Sequence, residues 1–188
     1  MIALELASHA PQRVRSLSLL VTTRGKTTTK HGHGDIFRTL FSRNSTVLTN
    51  SLLRLLYPKE FLAKHMEDQD ATTYDILFAS HLEMLRQHHM LPRRIGIAGQ
   101  IRAIGTHYVS NKRLAAIAAH GFPILILTGR QDHLIPAKES ERLSRLLPGP
   151  HVRTVIFEDA GHGVFIQYLD EVVAELMQTF QQASASTI

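Results

Sequence analysis

The sequence predicts an α/β fold: about three parallel strands with flanking helices, interrupted by a long all-helical insertion. Three observations carry that expectation. Short, nearly continuous apolar runs at 14–22, 122–128 and 152–157 read as strands buried on both faces, as in a parallel sheet covered by helices. Amphipathic helical patterns lie before, between and after these runs. The stretch from about 35 to 120 is helical in texture throughout and holds no run that reads as a strand.

The elements follow in order. Residues 1–10 place Ile2, Ala3, Leu6 and Ala7 on neighbouring helical tracks and stop before Pro11. Val14 to Thr22 alternates and then turns apolar, giving the first strand. Helical patterns near 35–43, 45–56, 59–68, 71–90 and 110–119 come next, broken at Pro58 and Pro92. Their apolar stripes, among them Leu52, Leu53, Leu55, Leu56, Phe78 and Leu85, are expected to pack as core rather than to touch a substrate. Phe122 to Thr128 is the second strand, closed by Gly129. Pro136 suits the first turn of a helix over 136–147, with Leu143, Leu146 and Leu147 on one face. Val152 to Phe157 is the third strand. Asp170 and Glu171 open a final helix over 170–182, expected to bury Val173, Leu176, Met177 and Phe180, and Ser184 to Ile188 reads as a frayed tail. The core is therefore assigned to 1–34 and 121–188 and a helical cap to 35–120.

Composition narrows the functions. With 188 residues, 44% of them hydrophobic, the chain is sized for one domain with a substantial core. The absence of cysteine excludes disulfides, thiol catalysis and thiolate metal sites. The formal charge is +5, but Lys26, Lys30, Arg54, Arg93, Arg94, Arg113 and Arg153 are scattered and not interleaved with aromatics. A solvated surface is expected rather than one that binds nucleic acid. The longest apolar runs fall far short of the ~20 residues of a membrane helix. Met1 to Ala7 has no basic lead and carries Glu5, unlike a signal peptide. A soluble, cytoplasmic chain without a transmembrane segment is the expectation.

Two turns carry chemistry. Gly129-Arg-Gln-Asp132 runs on to Ile135-Pro136 after the second strand, and Glu158-Asp-Ala-Gly161-His162-Gly163 follows the third. Active sites of open α/β sheets gather at the C-terminal ends of the strands. The 30 residues between Asp132 and His162 fit one helix plus one strand, a crossover that sets the two turns side by side. An imidazole acting as general base must be held in one tautomer and steadied when it becomes cationic, and a carboxylate on one ring nitrogen does both. Asp132 and His162 are the candidate pair. Gly161 and Gly163 are expected to let the backbone bend so that His162 projects over the strand ends.

These turns resemble the acid and histidine turns of the α/β-hydrolase superfamily, strongly over 122–180, clearly over 1–22 and loosely across the insertion. The resemblance implies a triad in the order Ser, Asp or Glu, His, with Asp132 as orienting acid, His162 as base and a helical lid over the site. It also implies a hydrolase of serine-esterase type, acting on a small apolar substrate under the lid, and no cofactor. No Gly-x-Ser-x-Gly elbow occurs in these residues. Met1-Ile2-Ala3 resembles the start of the helix after the elbow, which puts the nucleophile roughly four residues before Met1, a serine or, as in epoxide hydrolases, an aspartate. Ser8 lies about two turns along that helix, with no sharp turn to expose it. By this reading the chain is truncated, lacks both nucleophile and oxyanion hole, and is inactive alone. The alternative is a non-catalytic, hydrolase-like module that binds a ligand or a protein. The first strand would be left with an open edge, a route to self-association. His31-Gly32-His33 and His88-His89 invite a metal, but zinc needs three or four ligands and no His-Glu-x-x-His is present. His107-Tyr108, near the return to the sheet, is a candidate pocket wall.

Overall fold

The computed structural model describes residues 1–26, 33–66, 70–87 and 94–185. Helix α1 (Ile2–His9) leads through a single 3-10 turn into strand β1 (Leu17–Leu20). Among the described residues, six helices follow before the next strand. They are α2 (His33–Phe41), α3 (Ser45–Leu56), α4 (Lys59–Leu62), α5 (Thr73–Gln87), α6 (Arg94–Thr106) and α7 (Asn111–Ala119). Then come β2 (Ile124–Gly129), α8 (Ala137–Leu146), β3 (Val152–Phe157), α9 (Val164–Gln167) and α10 (Leu169–Ala185).

The sheet has the order β1-β2-β3 and is parallel throughout, with Leu17 beside Ile124 and Ile124 beside Val152. All six residues of β2 are buried, so the pleat alone decides which layer each side chain joins. Ile124 and Ile126 pack with Leu17 and Leu19 against Leu4 of α1, Leu114 and Ile117 of α7 and Leu143 of α8. Leu125 and Leu127 point the other way, onto Val164 of α9 and Val172 of α10. The result is three layers, helix on sheet on helix, and the expected fold class holds. Each of these β2 side chains contributes roughly 1.5–3 kcal/mol by leaving water.

Several boundaries and faces differ from the sequence expectations. β1 is shorter than 14–22 because its ladder begins only where the Leu17 N–H reaches the Pro123 carbonyl, at 2.9 Å. α4 has four residues where the pattern suggested ten. α6 falls in the stretch expected to be helical but has no separate pattern among those expected: Gly96, Gly99 and Gly105 lower its helix propensity and mask its period. The final helix buries a different stripe from the one expected. Val172, Thr179 and Ala183 are buried and Leu176 is partly so, whereas Val173, Met177 and Phe180 are about half exposed. Arg153 of β3 sets that rotation by donating to the Glu175 carbonyl at 3.0 Å and to Thr179 Oγ1 at 3.3 Å. The helix runs on through Ser184 to Ala185, so these two are not part of a frayed tail. In α1, Leu4 and Ala7 are buried while Ile2 and Leu6 stay exposed.

Within the insertion α3, α4 and α5 share a cluster around Leu53, Tyr57 and Leu62. α3 is capped by Asn44, whose Oδ1 accepts from the Val47 N–H at 3.2 Å. α7 packs with the sheet, through Leu114, Ile117 and Ala118. Lys30, His31-Gly32, His88-His89, Pro92 and Arg93 lie outside the described residues, as does the side chain of His33. Among the described residues no three His, Asp or Glu side chains cluster as metal ligands, and no helix is long and apolar enough to cross a membrane.

Candidate active site

β2 and β3 are adjacent and parallel, so their C-terminal ends open on the same edge of the sheet. The two turns that follow are packed backbone to backbone. A Cβ at Gly129 would stand 2.5 Å from the Gly161 carbonyl oxygen, and the Gln131 N–H donates to the Ala160 carbonyl at 2.9 Å. Only glycine permits so close an approach at position 129.

Asp132 is held inside this junction with its side chain fully buried. Its Oδ1 accepts from the N–H groups of Leu134, at 2.8 Å, and Ile135, at 2.7 Å, which closes the turn that leads into α8. Its Oδ2 lies 2.8 Å from Nδ1 of His162. Three partners satisfy a carboxylate that burial would otherwise penalise. Accepting from Nδ1 places the neutral imidazole's proton there and leaves the Nε2 lone pair available. Nε2 has no hydrogen-bond partner among the described residues, and the His162 side chain is 19% exposed, enough to meet a reactant.

The glycines beside His162 act differently from the expectation. Neither has a positive φ, so the turn does not depend on their freedom to bend. They are needed for close approach by the insertion. A Cβ at Gly161 would lie 2.5 Å from the Leu56 carbonyl oxygen and 2.9 Å from Pro58 Cδ. One at Gly163 would lie 2.8 Å from Cζ of Tyr57. The Gly163 N–H donates to the Leu56 carbonyl at 2.8 Å, and the Gly161 N–H donates to Oε1 of Gln167, also at 2.8 Å. Burial pushes the Tyr57 phenol up. The Tyr168 phenol, bonded to Asp159, is pushed up to about 12 by that bond. A cavity of about 130 Å³ lies at this seam, bordered by Phe61 and Lys64 of the insertion and by Gln131, Asp159 and Gln167. A larger open hollow of about 460 Å³ lies beside α8, but its rim of Lys138, Glu139, Arg142 and Arg145 holds no histidine.

The structure thus brings Asp132 and His162 together, and it engages the other sequence candidates elsewhere. Ser8 Oγ accepts from Arg113 Nε at 2.7 Å. His107 is not an open pocket wall: its ring is buried, with Nδ1 3.2 Å from Glu5 Oε1. That burial lowers its proton affinity, while Arg113 holds the Glu5 carboxyl below the usual carboxylate range. The Tyr108 hydroxyl bonds Arg24. Sequence reasoning did not connect Gln167, Leu56 or Tyr57 with the His162 turn, and it placed Leu56 only in the core of the insertion. Their only sequence signal is the position of Gln167, five residues after His162; the rest is tertiary approach.

A family model described as the alpha/beta hydrolase fold matches residues 1–168. Among curated proteins, a pimeloyl-[acyl-carrier protein] methyl ester esterase of Aliivibrio fischeri (strain MJ11) is 31% identical over 67 residues, covering 36% of this chain and 25% of that protein. The Aliivibrio salmonicida (strain LFI1238) protein of the same name is 36% identical over 59 residues, covering 31% and 22%. Among solved structures, a hydrolase from Pseudomonas aeruginosa PA01 matches with a TM-score of 0.68 at 20% identity, covering 95% of this chain and 60% of that one. The meta-cleavage product hydrolase from Pseudomonas fluorescens IP01 matches with a TM-score of 0.66 at 17% identity, covering 97% and 61%. These structures show the fold alone. The chain spans about three fifths of the solved relatives, and the matched stretch about a quarter of the curated ones.

Proposed function

The chain belongs to the α/β-hydrolase fold family, and from that premise we propose that Asp132 and His162 are the acid and base of a hydrolytic triad acting on ester-type bonds of small apolar molecules. The observation that supports this best is the 2.8 Å bond from His162 Nδ1 to a buried Asp132, with Nε2 left free at the strand ends. In this reading Nε2 takes the proton of the attacking group and later returns it to the leaving oxygen, while Asp132 keeps the ring in one tautomer and stabilises its cationic form. No Gly-x-Ser-x-Gly occurs among the 188 residues, so the nucleophile and the oxyanion donors are assigned to residues outside them. Without those groups an acid–base pair retains little catalytic power. Helices α2 to α6 form the lid, and substrate enters between it and the strand ends. The esterase named among the relatives is in keeping with ester chemistry.

The test compares this chain with its in-frame upstream extension on short-chain p-nitrophenyl esters. The 188 residues alone should be inactive. The extension should be active and should lose ~10³-fold or more in kcat with His162→Asn. An extended protein whose hydrolysis is indifferent to His162 would overturn the assignment. The missing elbow favours one other reading, a hydrolase-like module that binds a ligand or protein without catalysis. An extension that also lacks a nucleophile would establish it.

A further inference from the structure

We infer that the base is held by a two-sided clamp, Gln167 on the core side and the Leu56–Pro58 turn of the insertion on the other, so that seating of the insertion sets the orientation of His162. The inference rests on the reading of His162 as the base and adds what positions it. Asp132 fixes one ring nitrogen, but a single bond leaves the turn free to pivot about it. The two N–H groups that flank His162 remove that freedom. That of Gly161 donates to Gln167 Oε1 at 2.8 Å, and Gln167 Nε2 in turn donates to the Asp159 carbonyl at 3.3 Å. That of Gly163 donates to the Leu56 carbonyl at 2.8 Å. Leu56 closes α3, and a last-turn carbonyl has no partner within its own helix, so it is free to accept across the seam.

The next residue makes the contact stiff. Tyr57 is 3% exposed and belongs to the insertion's own cluster with Leu53 and Leu62, its ring 5.5 Å from that of Phe61. The same ring lies where a side chain at 163 would be, and the Leu56 carbonyl and Pro58 occupy the equivalent space at 161. Tertiary packing of the insertion is thereby transmitted to the backbone on both sides of the imidazole. Displacing the insertion breaks the Leu56–Gly163 bond and loosens the ring from Asp132, so an opened site carries a misaligned base. Gln167, Leu56 and Tyr57 are positioning residues that act through His162.

Imidazole ¹⁵N–¹H spectra of the 188-residue chain test this without any need for turnover. The wild type should show His162 as a single tautomer with a slowly exchanging Nδ1 proton. Gln167→Leu, close in size but without the acceptor, and Tyr57→Ala should each speed exchange of that proton about tenfold, the order of effect of losing one hydrogen bond. Gln167→Glu keeps the acceptor for the Gly161 N–H but loses the donor to the Asp159 carbonyl, so its exchange should lie between the wild type and Gln167→Leu. Leu114→Ala, which loosens the core layer on the other face of the sheet, away from the insertion cluster, should leave exchange slow. Wild-type exchange in folded Gln167→Leu and Tyr57→Ala overturns the clamp. So does equal acceleration in Leu114→Ala, which would show only general loosening. If Tyr57→Ala does not fold, Gln167→Leu decides alone. A clamp that holds in a protein whose esterase activity ignores His162 separates this inference from the functional proposal.

Discussion

The juxtaposition of Asp132 and His162 was legible in the sequence because the two turns follow buried strands 30 residues apart; either residue alone reads as well as an ordinary turn or loop residue. What no spacing could reveal is how completely the carboxylate is used. Asp132→Ala strands the N–H groups of Leu134 and Ile135 and the Nδ1 proton of His162 in a buried site. At ~1–3 kcal/mol for each stranded donor, less whatever water recovers, a loss of about 3 kcal/mol is expected in urea denaturation. Asp132→Asn keeps an acceptor for the two backbone groups and should cost less, while presenting an amide N–H to the ring and favouring the wrong tautomer. His107 offers a pH test. Burial lowers its proton affinity in the folded state against the opposing pull of Glu5, whereas the unfolded chain protonates it near the ordinary value of about 6.5. Unfolded molecules therefore bind the proton first. Stability is full above that pH and falls as pH drops through it towards the depressed folded value. Glu5, depressed by its hydrogen bond with Arg113, adds a loss only at lower pH, reduced by solvent screening of a side chain that is over a third exposed. His107→Gln should flatten the urea midpoint between pH 7 and about 5.5; an unchanged slope would remove His107 from the account.

At the scale of elements, buried strands were easy to find and helix faces were not. β2 reads as a strand because four consecutive branched apolar residues have no amphipathic helical alternative, and its continuous burial bears this out. α10 carries two apolar tracks, one through Val173, Met177 and Phe180 and one through Val172, Leu176 and Ala183. The larger side chains favoured the first. The sheet selects the second, where a smaller cross-section lets the helix approach β2 and Arg153 can reach the helix backbone. Paired substitutions check this rotation. Val172→Ala should cost about 1–2 kcal/mol through lost methyl contacts and a residual cavity, while Val173→Ala should change stability by less than about 0.5 kcal/mol. Equal costs would mean that the exposed track is covered in solution. In α6 the helical texture was legible but the bounds were not, since its glycines blur the period of a helix of 13 residues.

For the molecule as a whole, the packed layers leave apolar surface on two sides. Among the described residues β1 pairs only with β2, and Ile2 and Leu6 of α1 are both exposed. On the opposite layer Leu169, Val173, Met177 and Phe180 form a half-exposed stripe along α10. Contiguous apolar surface and an unpaired strand edge are each a route to association, and about two fifths of the length of the solved relatives lies outside what this chain spans. The 188 residues by themselves are therefore expected to self-associate with rising concentration in sedimentation velocity. Two variants identify the route. The N–H groups of Leu17 and Val21 point to β2, so that of Ser18 faces the open edge, and Ser18→Pro removes it without disturbing the β1–β2 ladder. Met177→Glu puts a charge in the α10 stripe and leaves the edge intact. Edge pairing predicts that the first variant shifts the population to monomer and the second does not, and burial of the helix face predicts the reverse. A single monomeric species across the whole concentration range, with a cooperative melt, would show that neither surface drives assembly and that three strands and their helices suffice as a folded unit.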